Sequence, residues 1–295
     1  MSISIVMSVC NAEQYLENSI KSILSQSFRD FEFLIMDDGS NDNSAEIIKK
    51  YSSIDKRIIF YSQENRGLTK SLNYLVRKSN YNLIARMDAD DVADENRLLK
   101  QYDFLNRNST YSLVGSNVNL IDSDGFQIKK TNLLTSNYFL KKRLNFSNTF
   151  VHSSLMFRKN KFVEAGEYDE SIPYAQDYDL LLKMAMLKES KFKILKSCLM
   201  DLRIHKNSIS QSKKDLQDLC AIYARYRIMK KSIDKFDFDK IQTGIKYEKY
   251  FMKIKNRYLF INKNIDELRF ELKTKFIWEF YFLYILLKKF LSRKV

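Results

Sequence analysis

The sequence predicts an α/β fold, in which a mostly parallel sheet is flanked by helices and followed by a C-terminal helical extension. Apolar runs of strand length alternate with segments whose apolar residues recur at helical spacing from Ile3 to Leu105. The connections between these segments are short, which is typical of a parallel sheet covered on both faces. From Leu216 onward the pattern is helical to the end of the chain.

Residues 1–105 form predicted strand–helix pairs. In the first helix, for example, Tyr15, Leu16, Ile20 and Ile23 fall at helical spacing. The predicted strands are Ile3–Val9, Phe31–Met36, Arg57–Tyr61 and Leu83–Met87. The predicted helices are Ala12–Ser25, Ser44–Tyr51, Leu68–Arg77 and Glu95–Leu105.

After Asn106 the strict alternation stops. The predicted elements are strands at Ser112–Ile121, Phe126–Thr131, Thr149–Arg158 and Lys191–Ile204, and a helix at Gln176–Leu187. In the tail, apolar residues at helical spacing predict an amphipathic face from Tyr247 to Tyr258. We therefore predict a first domain at residues 1–212 and a basic, aromatic-rich helical extension at residues 213–295.

The composition indicates a folded protein of a reducing compartment. The chain has 295 residues, of which 45% are hydrophobic, and its 6 Gly and 1 Pro argue against flexible linkers. Its 3 cysteines are widely spaced, so no disulfide framework is expected. Met1–Val9 lacks the basic start of a signal peptide, and the uncharged apolar run Phe280–Leu287 is shorter than the roughly 20 residues that span a bilayer. We expect a cytoplasmic protein.

The positive charge is concentrated in the tail. The net charge is +14, and residues 215–295 carry 19 Lys or Arg against 10 Asp or Glu. Such a tail could meet an anionic membrane or nucleic acid, or it could be a solvated helical face. No nucleic-acid-binding motif is present, so nucleic acid is not an expected partner. The aromatic run Phe276–Lys289 could lie in a membrane interface, peripheral on the inner face of the cell membrane, or pack onto the first domain or a second subunit.

Carboxylates cluster at the ends of two predicted strands and at the start of a predicted helix. They are Asp37 and Asp38, then Asp88, Asp90 and Asp91, then Asp177 and Asp179. Side chains at i and i+2 of a strand point the same way, so Asp88 and Asp90 can face one object. Hard oxygen ligands suit Mg²⁺ or Mn²⁺ bound to phosphates, and ligands of open α/β sheets bind at the carboxyl ends of strands. A turn followed by a helix N-terminus, where Asp is common, is the alternative.

Short segments between Ile3 and Ser210 occur in a specific order and spacing. They are Ser8-Val-Cys-Asn-Ala-Glu13, Ser22-Ile-Leu-Ser-Gln26, Asp37-Asp-Gly-Ser40 with Asp42, Asn65-Arg-Gly-Leu68, Ala85-Arg-Met-Asp-Ala-Asp-Asp91, His152-Ser-Ser154, Ala165-Gly-Glu-Tyr168 and Gln176-Asp-Tyr-Asp-Leu180. In these segments the chain resembles glycosyltransferase family 2, an inverting family with the GT-A fold, and in particular its bacterial members that build capsule, O-antigen or related surface glycans. The resemblance implies that residues 1–212 form a GT-A-like (Rossmann-like) catalytic domain.

On the donor side, the resemblance implies binding of a nucleotide sugar, usually UDP-linked. Asp38 would hydrogen-bond the base, Asp37 would support that loop, and Arg66 would contact the nucleotide. Many family members carry a stacking Tyr where this chain has Cys10, which leaves base stacking and nucleotide preference open. The enzyme would move a hexosyl or N-acetylhexosaminyl group to a hydroxyl of a glycan or lipid-linked acceptor.

At the reacting centre, the resemblance places Asp88 at the ribose or diphosphate and Asp90 at a divalent cation, Mn²⁺ or Mg²⁺. His205 matches a His that in some members approaches the metal or the diphosphate. Asp177 would be the general base that takes the acceptor proton, whereas the residues alone also allow a helix N-cap. The positions that would be acceptor-side or structural are His152 and Asp179.

Two other functions fit parts of this pattern. A nucleotidyltransferase that makes nucleotide sugars shares the α/β sheet, but it usually has a Gly-rich phosphate loop after the first strand. This chain has Cys10-Asn-Ala-Glu-Gln14 there. A non-catalytic, membrane-associated binding module would not need its acidic clusters, and all of them are intact.

Overall fold

The sheet is built around the first strand of the chain. The computed structural model describes residues 2–205 and 213–230, and its first half alternates strands and helices. These are β1 (Ile3–Val9), α1 (Glu13–Leu24), β2 (Phe31–Asp38), α2 (Ser44–Ile54), β3 (Ile58–Gln63), α3 (Leu68–Lys78) and β4 (Leu83–Met87). β1 pairs in parallel with both β2 and β4, and β2 pairs in parallel with β3. The predicted alternation and the parallel sheet are confirmed.

The second half adds antiparallel pairings to the same sheet. Its elements are β5 (Val92–Ala93), α4 (Arg97–Arg107), β6 (Tyr111–Ile121), β7 (Gln127–Lys130), α5 (Asn137–Leu144), β8 (Met156–Arg158), α6 (Lys159–Glu164), α7 (Gln176–Met186), β9 (Lys191–Arg203) and α8 (Lys214–Lys230). β8 is antiparallel to β4 and β6, whereas β6 and β9 are parallel. The strand order is β3-β2-β1-β4-β8-β6-β9-β5, with β7 paired to β6.

Hydrophobic residues cover both faces of the sheet. Ile5 and Met7 of β1 join Phe33 of β2 in one core cluster, while Val6 and Leu34 belong to the cluster on the other face. Strands buried on both faces need apolar residues at every position, which explains the continuous apolar runs in the sequence.

The prediction of one strand over Thr149–Arg158 is wrong for most of its length. Only Met156–Arg158 is a strand, β8, and His152–Ser154 forms a short 3-10 helix. The Ser154 N–H and Oγ both donate to the Val151 carbonyl, at 3.0 and 2.8 Å, so this backbone is satisfied locally. The sequence does not predict β5, α5 or α6, because each is too short to show a clear hydrophobic period.

The helix α8 packs against α7. Arg227 forms ion pairs with Asp169 and with the buried carboxylate of Asp179, and Cys220 and Ala224 of α8 are buried. The chain divides after residue 236, and every described residue belongs to the first unit, Met1–Phe236.

Most of the predicted C-terminal extension lies outside the described residues. The amphipathic face that begins at Tyr247 and the aromatic run Phe276–Lys289 both fall there. The boundary at residue 212 and the membrane-facing role of the tail therefore stay predictions. Within residues 2–205 and 213–230, no helix combines the length and apolar character needed to cross a membrane.

Candidate active site

The carboxyl ends of three parallel strands lie at one edge of the sheet. β1 lies between β2 and β4, with Val9 in register with Asp37 and Met7 in register with Met87. The residues that follow these strands are therefore neighbours. This edge is where open α/β sheets bind their ligands.

At the end of β2, Asp38 holds the loop that precedes α3. Its buried carboxylate accepts the backbone N–H groups of Arg66 at 2.9 Å and Gly67 at 2.8 Å. Asp37 is also buried, and it accepts the Ser40 N–H at 3.3 Å. The structure thus gives Asp38 a loop-supporting contact of the kind predicted for Asp37. The side chain of Arg66 is exposed.

Asn65 lies against the ends of both β1 and β2. Gly39 has a φ of +72°, and a Cβ at this position would lie 2.6 Å from the Asn65 nitrogen, so the turn requires glycine. Asn65 Nδ2 lies 3.3 Å from Cys10 Sγ. Partial desolvation of the thiol, followed by the negative charge of Asp38, raises the pKa of Cys10, which therefore stays protonated at neutral pH. The structure brings Cys10 and the Asp37–Asp38 pair together.

Three carboxylates converge after β4. One oxygen from each of Asp88, Asp90 and Asp91 lies within 4.8 Å of the others. Burial, followed by the charges of Asp88 and Asp90, raises the pKa of Asp91 well above its usual value. A divalent cation would relieve this repulsion, and carboxylate oxygens are the ligands that Mg²⁺ and Mn²⁺ prefer. The donor set therefore fits the predicted metal.

His205 lies beside this cluster although it is distant in sequence. Its Nε2 is 2.9 Å from Asp90 Oδ2, across 115 positions of the chain. Arg203 donates from Nε to the Asp90 carbonyl at 3.0 Å. The Arg203 guanidinium lies over the ring of Tyr15, and the His205 ring is 5.2 Å from the same ring. The end of β9 is thereby tied to the end of β4.

A buried arginine places its positive charge near both the carboxylate cluster and Asp177. Arg86 of β4 is only 1% exposed and forms an ion pair with Asp88. Burial raises the pKa of Asp177, and the positive charge of Arg86 opposes that rise. No role of Arg86 is predicted from the sequence. A charged residue inside the apolar run Leu83–Met87 is the signal that identifies it, because Arg is rarely buried without a partner.

Asp177 lies on the first turn of α7. The chain enters this helix through Ala175, which has a left-handed conformation with φ 56° and ψ 26°. Asn148 Nδ2 donates to Asp177 Oδ2 at 2.7 Å, and Asn148 Oδ1 accepts the Phe150 N–H at 2.9 Å. Asn148 is therefore oriented by its own loop and holds one oxygen of the carboxylate. No local sequence pattern identifies this residue.

The two remaining predicted positions have different surroundings. His152 Nε2 lies 2.8 Å from Tyr168 Oη, and burial lowers the pKa of His152 well below its usual value, so the ring is neutral at physiological pH. Asp179 is fully buried, lies 3.0 Å from Lys183 Nζ and forms an ion pair with Arg227. Its carboxylate therefore holds α8 against α7.

Comparison with known sequences identifies the family. Residues 4–166 match the family described as glycosyl transferase family 2. The chain is 36% identical over 233 residues to the O-antigen biosynthesis glycosyltransferase WbnJ of Escherichia coli, covering 78% of this chain and 89% of that protein. It is 37% identical over 223 residues to an uncharacterized glycosyltransferase of Methanocaldococcus jannaschii, covering 72% and 74% respectively. The chain is thus a glycosyltransferase, and it belongs to glycosyltransferase family 2.

Solved structures of glycosyltransferases share the fold. TarS residues 1–349 of S. aureus, in complex with UDP, align with a TM-score of 0.59 at 15% identity, over 76% of this chain and 65% of that one. The mannosyltransferase PcManGT from Pyrobaculum calidifontis, in complex with GDP-Man and Mn²⁺, aligns with a TM-score of 0.56 at 13% identity, over 79% and 65%. The chain thus spans just under two thirds of the length of these chains. The predicted GT-A fold is confirmed. Because the chain is a glycosyltransferase, the two alternative functions, a nucleotidyltransferase and a non-catalytic binding module, are set aside.

Proposed function

We propose that the protein is a metal-dependent inverting glycosyltransferase that moves a sugar from a UDP-linked donor to a hydroxyl of a glycan or lipid-linked acceptor in surface-polysaccharide synthesis. The observation that carries this proposal is the pair of carboxylate sites around Arg86. Asp88 forms an ion pair with Arg86 and belongs to a cluster of carboxylates that fits a divalent cation. Asp177 is a separate, half-buried carboxylate; burial raises its pKa, and the positive charge of the same guanidinium opposes that rise. Such a separation suits one site for the leaving group and another for proton transfer.

The donor nucleotide is assigned to the ends of β1 and β2. Asp38 would hydrogen-bond the base, Asp37 would support that loop and Arg66 would contact the nucleotide, with Cys10 beside them. TarS has been solved with UDP and with UDP-GlcNAc, which makes a UDP-sugar the first donor to test. An identity of 15–16% supports a shared fold only, so the nucleotide belongs to the proposal.

The cation is assigned to the end of β4. Asp88, Asp90 and Asp91, with His205, would hold Mn²⁺ or Mg²⁺. When bound, such an ion would stabilise, as a Lewis acid, the negative charge that develops on the departing diphosphate. Arg86 fixes the orientation of Asp88 and adds a buried positive charge next to it.

Asp177 is assigned as the general base. It would take the proton of the acceptor hydroxyl while that oxygen forms a bond to the anomeric carbon. The bond from this carbon to the diphosphate oxygen breaks on the opposite face, so a single displacement inverts the configuration. The Asn148 donor and the positive charge of Arg86 both favour the carboxylate form that this role needs.

A surface glycan is the proposed acceptor class. The relative from Escherichia coli is named as an O-antigen biosynthesis glycosyltransferase, which supports an O-antigen acceptor, and a capsule glycan is the other acceptor that we propose to test. We place the enzyme in the cytoplasm, peripheral on the inner face of the membrane. Residues 1–212 would be catalytic and residues 213–295 would form the extension.

A donor screen tests the proposal. Release of nucleoside diphosphate from UDP-, GDP- and dTDP-sugars is measured with Mn²⁺ or Mg²⁺, and NMR reports the anomeric configuration of the product. Asp177→Asn should keep UDP binding and slow transfer by roughly 10²–10⁴-fold, because the proton acceptor is lost. Near-normal turnover of this variant at saturating metal and donor, or a retained configuration, contradicts the mechanism.

A further inference from the structure

One side of the α5 helix exposes an aromatic surface. Tyr138 and Phe139 are 66% and 54% exposed, whereas Leu140 and Leu144 on the opposite side are buried. Lys141, between these positions, donates to the Ala185 carbonyl and is held against the protein. The helix is therefore anchored by one side and presents its aromatic rings on the other.

The same surface continues past the end of α5. The Phe146 N–H donates to the Arg143 carbonyl at 2.9 Å, which extends the helical turn by two residues. Arg143 is exposed, and Phe146 is 54% exposed. Residues four apart in a helix lie on one side, so Tyr138, Phe139, Arg143 and Phe146 form a common surface, the α5 outer face.

The stretch of sequence that contains the α5 outer face carries no acidic residue. Residues 125–163 include 8 Lys or Arg and no Asp or Glu. Half of the exposed large hydrophobic side chains in the described part of the chain lie between Phe126 and Phe146. The strand β7 in this stretch exposes Lys129 and Lys130. A surface built from this basic and aromatic stretch is complementary to an anionic lipid surface.

The C-terminal end of α5 contacts the helix that carries the candidate base. The Tyr178 hydroxyl of α7 donates to the Leu144 carbonyl at the end of α5. Four residues further along the chain, Asn148 donates to Asp177 at 2.7 Å. The C-terminal end of α5 therefore lies next to the first turn of α7, which carries Asp177.

The net charges of the possible occupants of the α5 outer face differ. Residues 231–295 of the same chain carry 16 Lys or Arg against 8 Asp or Glu, so a basic surface repels them as a group. A second copy has a net charge of +14, and a symmetric dimer would place two acid-free faces against each other. An anionic membrane is the occupant whose charge is opposite.

We propose that the α5 outer face docks on the anionic lipid headgroups of a membrane, with its aromatic rings in the interface and its cations at the phosphates. The docking orients the Asn148–Asp177 side of the enzyme toward membrane-borne acceptors. This orientation rests on the proposed function, whereas vesicle binding itself does not depend on it.

Vesicle co-sedimentation of the full chain at low salt tests the proposal. The probes are vesicles of phosphatidylcholine alone and of phosphatidylcholine mixed with phosphatidylglycerol. The wild type should bind only the anionic vesicles. Tyr138→Ser/Phe139→Ser/Phe146→Ser should lower the partition coefficient by about tenfold, because the interfacial anchors are lost. The second face variant, Lys129→Glu/Arg143→Glu, reverses one cation of the α5 outer face and one on β7 of the same stretch of sequence. It should lower the coefficient by at least about tenfold, because cations near an anionic surface are replaced by anions.

Matched variants elsewhere on the surface serve as controls. Ile54→Ser/Val163→Ser removes exposed apolar side chains from α2 and α6. Lys49→Glu/Lys100→Glu reverses exposed charges on α2 and α4. Both controls should bind vesicles as the wild type does. Unchanged melting temperature and unchanged release of UDP from the donor show that all variants are folded.

Several results overturn the proposal. A wild type that ignores anionic vesicles removes it, and so does vesicle binding by both face variants, which would place membrane binding in residues 231–295. A dimer that dissociates only in the face variants identifies a second copy as the occupant. If no donor is turned over but the vesicle results are as expected, the proposed function fails and the docking surface stands.

Discussion

The amide of Asn148 offers a direct test of how the candidate base is tuned. Replacing Asn148 by Leu removes the donor at 2.7 Å from Asp177 Oδ2 and keeps a side chain of similar size. A hydrogen bond to a charged group contributes about 1.5–3 kcal/mol, and one pKa unit corresponds to about 1.36 kcal/mol. The full loss would therefore raise the pKa of Asp177 by about 1–2 units. Asp177 is only half-buried and water can replace part of the bond, so we expect a rise of about 0.5–1 unit.

The sign of the pH effect follows from the role of the carboxylate. Burial already raises the pKa of Asp177, and Asn148 is one of the groups that oppose the rise. Without Asn148, the carboxyl group of Asp177 stays protonated up to a higher pH. The acid limb of kcat/KM should therefore move upward, with little change in rate on the alkaline side of the limb.

The assay is nucleoside diphosphate release as a function of pH, with metal saturating at each point so that protonation of the Asp88–Asp91 cluster does not set the limb. Asn145→Leu, an exposed position in the same loop, is the matched control and should keep the wild-type profile. Asp177→Asn should lose the limb. A uniform loss of rate in Asn148→Leu without a shift of the limb would show that Asn148 does not tune the base and is a structural residue.

Two further predictions concern the donor. Asp90→Ala should abolish metal-dependent UDP binding in calorimetry, because a hard cation loses a charged oxygen ligand, whereas Asp124→Ala in an exposed turn should bind normally. Wild-type activity that survives a chelator would exclude the metal site. Cys10→Tyr should tighten UDP binding by about 0.5–1.5 kcal/mol through an aromatic contact, because Cys10 is exposed and adjoins Asn65, with Cys10→Ser as the control. Weaker binding would show that another side chain already fills this space.

Much of the catalytic fold can be predicted from local patterns in the sequence. Strands and helices in the first half were identifiable because apolar residues repeat at the period of each element, and their short connections allow only a parallel arrangement. The positions of the acidic pairs after β2 and β4 were identifiable for the same reason. The end of an apolar run marks the end of a strand, and neighbouring parallel strands end at one edge.

Prediction was weakest where local patterns compete. The Val151–Ser154 backbone is satisfied by its own turn, so an apolar stretch that fits a strand becomes one only at Met156–Arg158. The α5 helix has apolar residues on both its buried and its exposed side. Leu140 and Leu144 are buried, whereas Tyr138 and Phe139 are exposed. A helix that is apolar on both sides shows no clear period, and its surroundings alone decide which side is covered.

The family, the α/β class and the acidic residues available to a site can all be predicted from the amino-acid sequence. Which of these residues act together depends on how the chain folds. Asn148 reaches Asp177 across 29 positions and His205 reaches Asp90 across 115, and no periodicity connects residues so far apart. Asp177 and Asp179 look equivalent as neighbours in one motif. In the folded chain, the helical twist directs Asp179 to Arg227 in the core and leaves Asp177 half-exposed, because residues two apart in a helix point in different directions.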